Sequence, residues 1–363
     1  MKVFQVLPEL NGGGVERGTL EMAAFLVKQG HESIVVSAGG KLVEELESKG
    51  SRHVSMEIGK KRLSTLKLIS KFRKLLKEEK PDILHLRSRL PAWIAYLAWK
   101  KLPKNSRPRL VTTVHGFNSV GAYSKIMCSG ERVIAVSSAI KDFVQRNYQV
   151  EDERVEVIHR GVTLDDYYPE YRPTEDWQNK FLAEFPKAKG KYLICLPGRV
   201  TQLKGHKDFF SLLQILKQRG HDVHGLVVGG VHPKRQKYAD GLQGLVEKMQ
   251  LQNEVTFTGH RSDLREIIAF SDVTVGLSID QESFGRTCTE TIALGRPFLG
   301  YAHGGIAEQL DVMFPEGKVP VGDYVAAAQK LEEWIKEVPQ VDSSQTFKLE
   351  TMLEKTLKLY ESF

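Results

Sequence analysis

Short apolar runs alternate with amphipathic stretches along almost the whole chain, and this alternation is what most limits the fold. In the first half the runs at 2–7, 32–37, 83–86, 110–114, 132–136 and 155–158 have strand length. Helical periodicity fills stretches between them, including 16–29, 43–49 and 92–101. The runs at 192–197, 224–228, 255–258, 273–277 and 297–300 repeat the scheme in the second half. Strands separated by helices pair in parallel, so the expected class is α/β, with two Rossmann-like βαβ domains. A chain of 363 residues supports that division, because single cores stop growing near about 250–300 residues. The expected domains are 1–165 and 192–342. Residues 166–191, polar and poor in apolar anchors, are expected to link them, and 343–363 to form a final helix.

Composition narrows the class further. Hydrophobic residues make up 41% of the chain, enough for two cores, and no apolar run reaches the roughly 18 residues of a membrane helix. Residues 1–8 read as a strand without a charged leader or cleavage site, so no signal peptide is expected. Cys128, Cys195 and Cys288 have neither metal spacing nor the number for a disulfide framework, which fits a reducing cytoplasm. Charge is unevenly divided. Residues 1–165 carry 28 Lys and Arg against 18 Asp and Glu, whereas the remainder carries 24 against 27. The excess peaks at 60–80, where nine basic residues face Glu78 and Glu79. Leu63, Leu66, Ile69, Phe72, Leu75 and Leu76 recur there at helical spacing, so a basic amphipathic helix is expected. Two readings stand side by side: a solvated helix face, or contact with an anionic membrane surface. Nucleic acid is disfavoured, because no aromatics interleave the basic residues.

The segment 281–297, QESFGRTCTETIALGRP, carries the most chemistry. Ser283, Phe284 and Gly285 read as a tight turn and 287–294 as a helix closed by Gly295 and Pro297. Glu282 then stands at the loop mouth and Glu290 about one turn inside the helix. Exposed amides at the helix start favour an anion, and a carboxylate one turn further in suits a sugar diol. A nucleotide sugar has both groups. Arg199 and Lys204 follow the strand 192–197, where ligands of open α/β sheets bind; an arginine fork and a lysine point charge five residues apart suit a pyrophosphate. Gly12, Gly13 and Gly14 follow the first strand and permit close backbone approach to a ligand, without the dinucleotide spacing. A plain flexible turn explains them equally well taken alone. Arg87 and Arg89 lie in HLRSRLP, either on an exposed loop or binding an anionic acceptor.

The frame ESFGRTxxETIALGRP resembles the E-x7-E signature of retaining glycosyltransferase family 4, which has the GT-B fold of two Rossmann-like domains facing each other across a cleft. The resemblance extends through GGGVER (12–17), TVHG (113–116), RVIAVS (132–137), VIHRGV (157–162), GRVTQLKG (198–205), GGIAE (304–308) and VPVGD (319–323), in the family's order. It implies sugar transfer from a nucleotide-diphosphate sugar, UDP- or GDP-linked, with retention at the anomeric carbon and without a metal or other cofactor. Arg199 and Lys204 match the paired pyrophosphate ligands. Glu282, with the backbone of Phe284 and Gly285, is implied at the transferred sugar and Glu290 at the ribose. His115 matches the strand-end histidine near the reaction centre. Gly13, Gly14, Ser283 and Thr287 fall in the matched donor segments, and Arg261, with His260, is placed to flank the base. Catalytic weight is expected on His115, Arg199, Lys204 and Glu282.

Arg286 departs from the aliphatic or small residue more usual at its position, and it is expected to reach a phosphate or to alter which sugar fits. Arg87 departs from a frequent histidine. The first domain is expected to bind the acceptor, a glycan or lipid-linked anion of the cell envelope such as a lipopolysaccharide core, with the enzyme peripheral to the cytoplasmic face of the inner membrane. The final helix is expected to cross back to the first domain. Two rivals remain open here: a nucleotide-sugar epimerase on the same fold, and a non-catalytic subunit that binds a nucleotide sugar.

Overall fold

In the computed structural model, which describes residues 1–363 apart from the side chain of Leu63, the apolar runs pair into two parallel sheets. The first sheet comprises β1 (Lys2–Val6), β2 (Glu32–Ser37), β3 (Arg52–Ser55), β4 (Ile83–Leu86), β5 (Arg109–Val114), β6 (Arg132–Ala135) and β7 (Val155–Val157), in the order β3-β2-β1-β4-β5-β6-β7. The second comprises β8 (Tyr192–Pro197), β9 (Val223–Val228), β10 (Val255–Gly259), β11 (Val273–Gly276), β12 (Phe298–Tyr301) and β13 (Lys318–Val319), in the order β10-β9-β8-β11-β12-β13. Every pairing is parallel. Strand order reverses between β1 and β4 in the first sheet and between β8 and β11 in the second. Those reversals open crevices at the carboxyl ends of the strands.

Helices cross between the strands. In the first half they are α1 (Gly14–Lys28), α2 (Val43–Ser48), α3 (Leu68–Glu79), α4 (Arg89–Lys100), α5 (Ala122–Lys125) and α6 (Ser138–Tyr148). Next come α7 (Glu175–Glu184), α8 (His206–Gln218), α9 (Gln236–Lys248), α10 (Leu264–Phe270), α11 (Arg286–Ala293), α12 (Gly304–Met313), α13 (Tyr324–Lys336) and α14 (Leu349–Glu361). The chain forms two units. Met1–His159 joins Glu350–Phe363 in one, and Arg160–Leu349 makes the other. In the first, Tyr360 of α14 is buried with its hydroxyl 2.6 Å from His85 Nδ1, while His85 Nε2 meets Thr113 Oγ1 at 2.6 Å. In the second, Phe209, Phe210, Leu212 and Leu213 of α8 are fully buried against the sheet, each contributing about 2–3 kcal/mol.

Three local expectations change. Residues 166–191 are not a bare connection: α7 lies within them and belongs to the second unit. Its anchors are aromatic, with Phe181 buried and stacked 5.0 Å from Trp177, and Thr174 caps its first turn by accepting from Trp177 N. The basic segment 60–80 is helical only from 63, first as a 3₁₀ turn (Leu63–Lys67) and then as α3. The Leu63 side chain lies outside the described residues. Phe72 and Leu76 face the core, Lys67, Lys71, Lys74 and Lys77 face solvent, and Leu66 stays 56% exposed. The final helix starts at Leu349 rather than 343, because Val162 bridges Lys348 in parallel and holds the chain extended there.

Candidate active site

The order reversal between β8 and β11 determines what meets in the second unit. The loop after β8 carries Arg199 and Lys204, and the loop after β11 carries Glu282. Lys204 Nζ lies 2.7 Å from Glu282 Oε1, and the Ser278 hydroxyl donates to the same oxygen. Burial works to raise the Glu282 carboxyl, but the Lys204 ammonium and the Ser278 hydroxyl outweigh it and hold the group below its ordinary value. Arg199 is exposed on the same loop. His206 begins α8 next to them, and burial pushes its imidazole down to about 4, so it stays neutral and adds no charge.

The turn Ser283–Phe284–Gly285 leads into α11, with Gly285 at φ +82° as its cap residue. Gln309 of α12, fully buried, holds this turn: its amide donates to the carbonyls of Phe284 and Gly305, and its oxygen accepts from Thr289. Gly304 and Gly305 allow α12 to approach. A Cβ on Gly305 would stand 2.5 Å from Phe284 Cα, and one on Gly304 would stand 2.7 Å from Glu282 O. Gly305 N also donates to Glu282 O at 2.8 Å. His303 Nε2 contacts the Ser278 carbonyl at 2.8 Å. Thr287 is half-buried in the first turn of α11, and Glu290, only 8% exposed, accepts from Arg286 Nε at 2.9 Å.

The arrangement offers an anion the start of α11, Arg199 and Lys204, with carboxylates on either side at Glu282 and Glu290. Ser278, His303 and Gln309 escaped the sequence reading. Gln309 directly follows GGIAE, and that adjacency was its only signal. Arg261 is differently engaged. Its guanidinium binds Asp263 at 2.7 Å and Glu184 at 2.9 Å, and these carboxylates, Asp263 first, hold its charge firmly.

In the first unit the Gly12–Gly14 loop follows β1, Arg87 follows β4 and His115 follows β5, all at the carboxyl edge of the sheet. Gly13, which caps α1, and Gly14, its first residue, are exposed, and His115 is half-buried. Arg87 is not on an exposed loop. It is 5% exposed and donates to Gln5 Oε1, while Gln5 Nε2 donates to Thr19 O at 3.2 Å, tying β4 to β1 and α1. The side chain is thus packed inside the first unit rather than held out on a loop. Arg89, by contrast, is half-buried at the start of α4, 3.2 Å from Ser124 Oγ and 5.4 Å over the Tyr123 ring. Burial raises all three thiols, Cys128 to about 11 and Cys195 to about 12, so none is a nucleophile.

Comparison with known proteins identifies the family. The family profile Glycosyltransferase Family 4 matches residues 12–166, and Glycosyl transferases group 1 matches residues 178–345. A glycosyltransferase from Rickettsia africae is 30% identical and superposes with a TM-score of 0.86, covering 99% of this chain and 98% of that one. Anabaena HepE, solved in complex with UDP-glucose, has the same fold at 19% identity and a TM-score of 0.82, covering both chains fully. The N-acetyl-alpha-D-glucosaminyl L-malate synthase of Bacillus anthracis is 25% identical over 356 residues, 91% of this chain and 86% of that protein. The chain therefore belongs to glycosyltransferase family 4, the retaining, metal-independent GT-B enzymes that transfer a sugar from a nucleotide-sugar donor.

Proposed function

We propose that the donor is a UDP-sugar, bound through Arg199, Lys204 and the start of α11, and that the acceptor is an anionic glycan or lipid-linked glycan of the cell envelope. The observation that carries the donor reading is the Lys204–Glu282 pair, 2.7 Å apart at the reversal of strand order. As the sugar leaves, charge grows on the diphosphate, and these cations and amides are fixed to stabilise it. Glu282 orients the transferred sugar and Glu290 the ribose. The UDP-glucose held by HepE supports uracil as the base.

The acceptor reading draws on charge. The first unit holds the basic excess, with α3 presenting Lys67, Lys71, Lys74 and Lys77 beside the exposed Leu66. The enzyme works at the cytoplasmic face of an anionic membrane, binding it peripherally through this face. The malate product named for the Bacillus anthracis relative supports an acidic acceptor. No helix among the described residues is long and apolar enough to cross a membrane.

The test of the donor reading is calorimetric titration with UDP, GDP, ADP and their common sugars, without divalent metal. UDP and a UDP-sugar should bind selectively, and Glu290→Ala should abolish binding. Binding of no nucleotide would overturn the reading. Conversion of the donor alone to a free epimer, read by NMR, would favour an epimerase instead. On the acceptor side, Arg89→Ala should raise the acceptor KM about tenfold while leaving the donor KM unchanged. Arg87→Ala should instead cost about 3 kcal/mol of stability, read by denaturant unfolding, because it strands Gln5 inside the core. Equal effects of Arg89→Ala on both KM values would discard its acceptor role.

A further inference from the structure

Arg286 occupies a position that local physics disfavours. It is the first residue of α11, where the helix dipole repels a cation, and the first turn contains no acid to offset it. Its partner Glu290 lies four residues later, and an i,i+4 pair with the cation first is the weaker orientation. Even so, Arg286 Nε holds Glu290 Oε1 at 2.9 Å, beside a carboxylate that is almost wholly buried. Tyr167 adjoins both. Burial chiefly raises its phenol, the Glu290 carboxylate adds to this and the Arg286 guanidinium opposes it. Residues that break a local preference tend to serve a ligand.

We infer that Arg286 is a donor-binding residue that exchanges partners when nucleotide binds, moving from Glu290 to the ribose-linked phosphate of the donor. The inference rests on the donor reading of Glu290 given above. A ribose diol donates two hydrogen bonds and needs both carboxylate oxygens, one of which Arg286 now shares. Displaced from that oxygen, the guanidinium stays beside the ribose. The 5′-phosphate is the nearest anion available to it there, and Arg presents paired N–H donors that fit phosphate oxygens. The helix dipole then favours the complex, since the phosphate offsets two positive groups together. Arg286 thus makes the site selective for nucleotides over nucleosides. Until nucleotide binds, it also holds the Glu290 carboxylate in place at 2.9 Å.

The experiment compares dissociation constants of UDP, UMP and uridine for the wild type, Arg286→Leu, Arg286→Gln and Glu290→Ala, with uridine followed by competition against a fluorescent nucleotide. Arg286→Leu should weaken UDP and UMP about 10–100-fold, the weight of one charge-assisted contact, and leave uridine unchanged or tighter. Arg286→Gln, which retains a hydrogen-bond donor for Glu290 but no charge, should lose the same factor for UMP. Equal loss of UDP, UMP and uridine would reduce Arg286 to a prop for Glu290 and overturn the inference, as would unchanged UMP binding. If wild type binds UDP and Glu290→Ala binds all three ligands as well as wild type, the ribose assignment fails instead. Thermal unfolding of each variant confirms that the comparison concerns folded protein.

Discussion

Replacing Lys204 by alanine should lower turnover of the UDP-sugar donor, measured as UDP release, by about 10²–10³-fold, or roughly 3 kcal/mol of transition-state stabilisation. Two losses combine. The ammonium proposed to meet the leaving diphosphate disappears, and Glu282 loses its partner at 2.7 Å. The sign of the pH effect follows. In the intact protein the Glu282 carboxyl lies below its ordinary value, because Lys204 and Ser278 outweigh burial. Its ionised form therefore stabilises the fold above the ordinary carboxylate pKa, and that contribution is lost as pH falls through the lower folded value. Without Lys204, burial acts with only Ser278 and the more distant His303 against it, and the group rises. The acid limb of kcat/KM should accordingly move to higher pH in Lys204→Ala. An unshifted limb with turnover within threefold of wild type would show that the pair contributes little to catalysis.

Gly205→Ala should destabilise the second unit by about 3–5 kcal/mol, which for a unit of this size lowers its unfolding temperature by about 10 °C or more. Gly205 has φ +68°, and a Cβ there would stand 1.7 Å from Leu277 O. The obstacle is backbone at the end of β11, so no side chain can rotate away. Gly220 provides the matched control, with φ +85° and nothing within 4 Å of a built Cβ. Gly220→Ala should cost about 1 kcal/mol, the conformational term alone. Differential scanning calorimetry separates the two, and equal shifts would mean that the contact with Leu277 relaxes at little cost.

The glycine and the lysine also illustrate what a sequence reader can see. Long buried strands such as β8 announced themselves as unbroken apolar runs, and the E-x7-E frame marked the turn into α11 because its residues are contiguous. The short edge strand β3, RHVS, did not, since its exposure pattern lacks a buried face, and β13 has only two residues. The α7 helix was hidden by aromatic anchors in a polar segment. Side-chain fates set by distant partners were invisible. Arg87 is claimed by Gln5, Arg261 by Glu184, and the Phe284 turn by Gln309, partners that lie far away in sequence. Motif position told which loop carries an arginine, but only packing tells whether it faces solvent.

A crystal structure of the chain with UDP, grown in the presence of a chelator, would show where the nucleotide binds. The diphosphate should lie against the first amides of α11, within hydrogen-bond distance of Arg199 and Lys204, with both ribose hydroxyls on Glu290. UDP bound elsewhere, or held without Lys204 and Glu290, would contradict the donor reading.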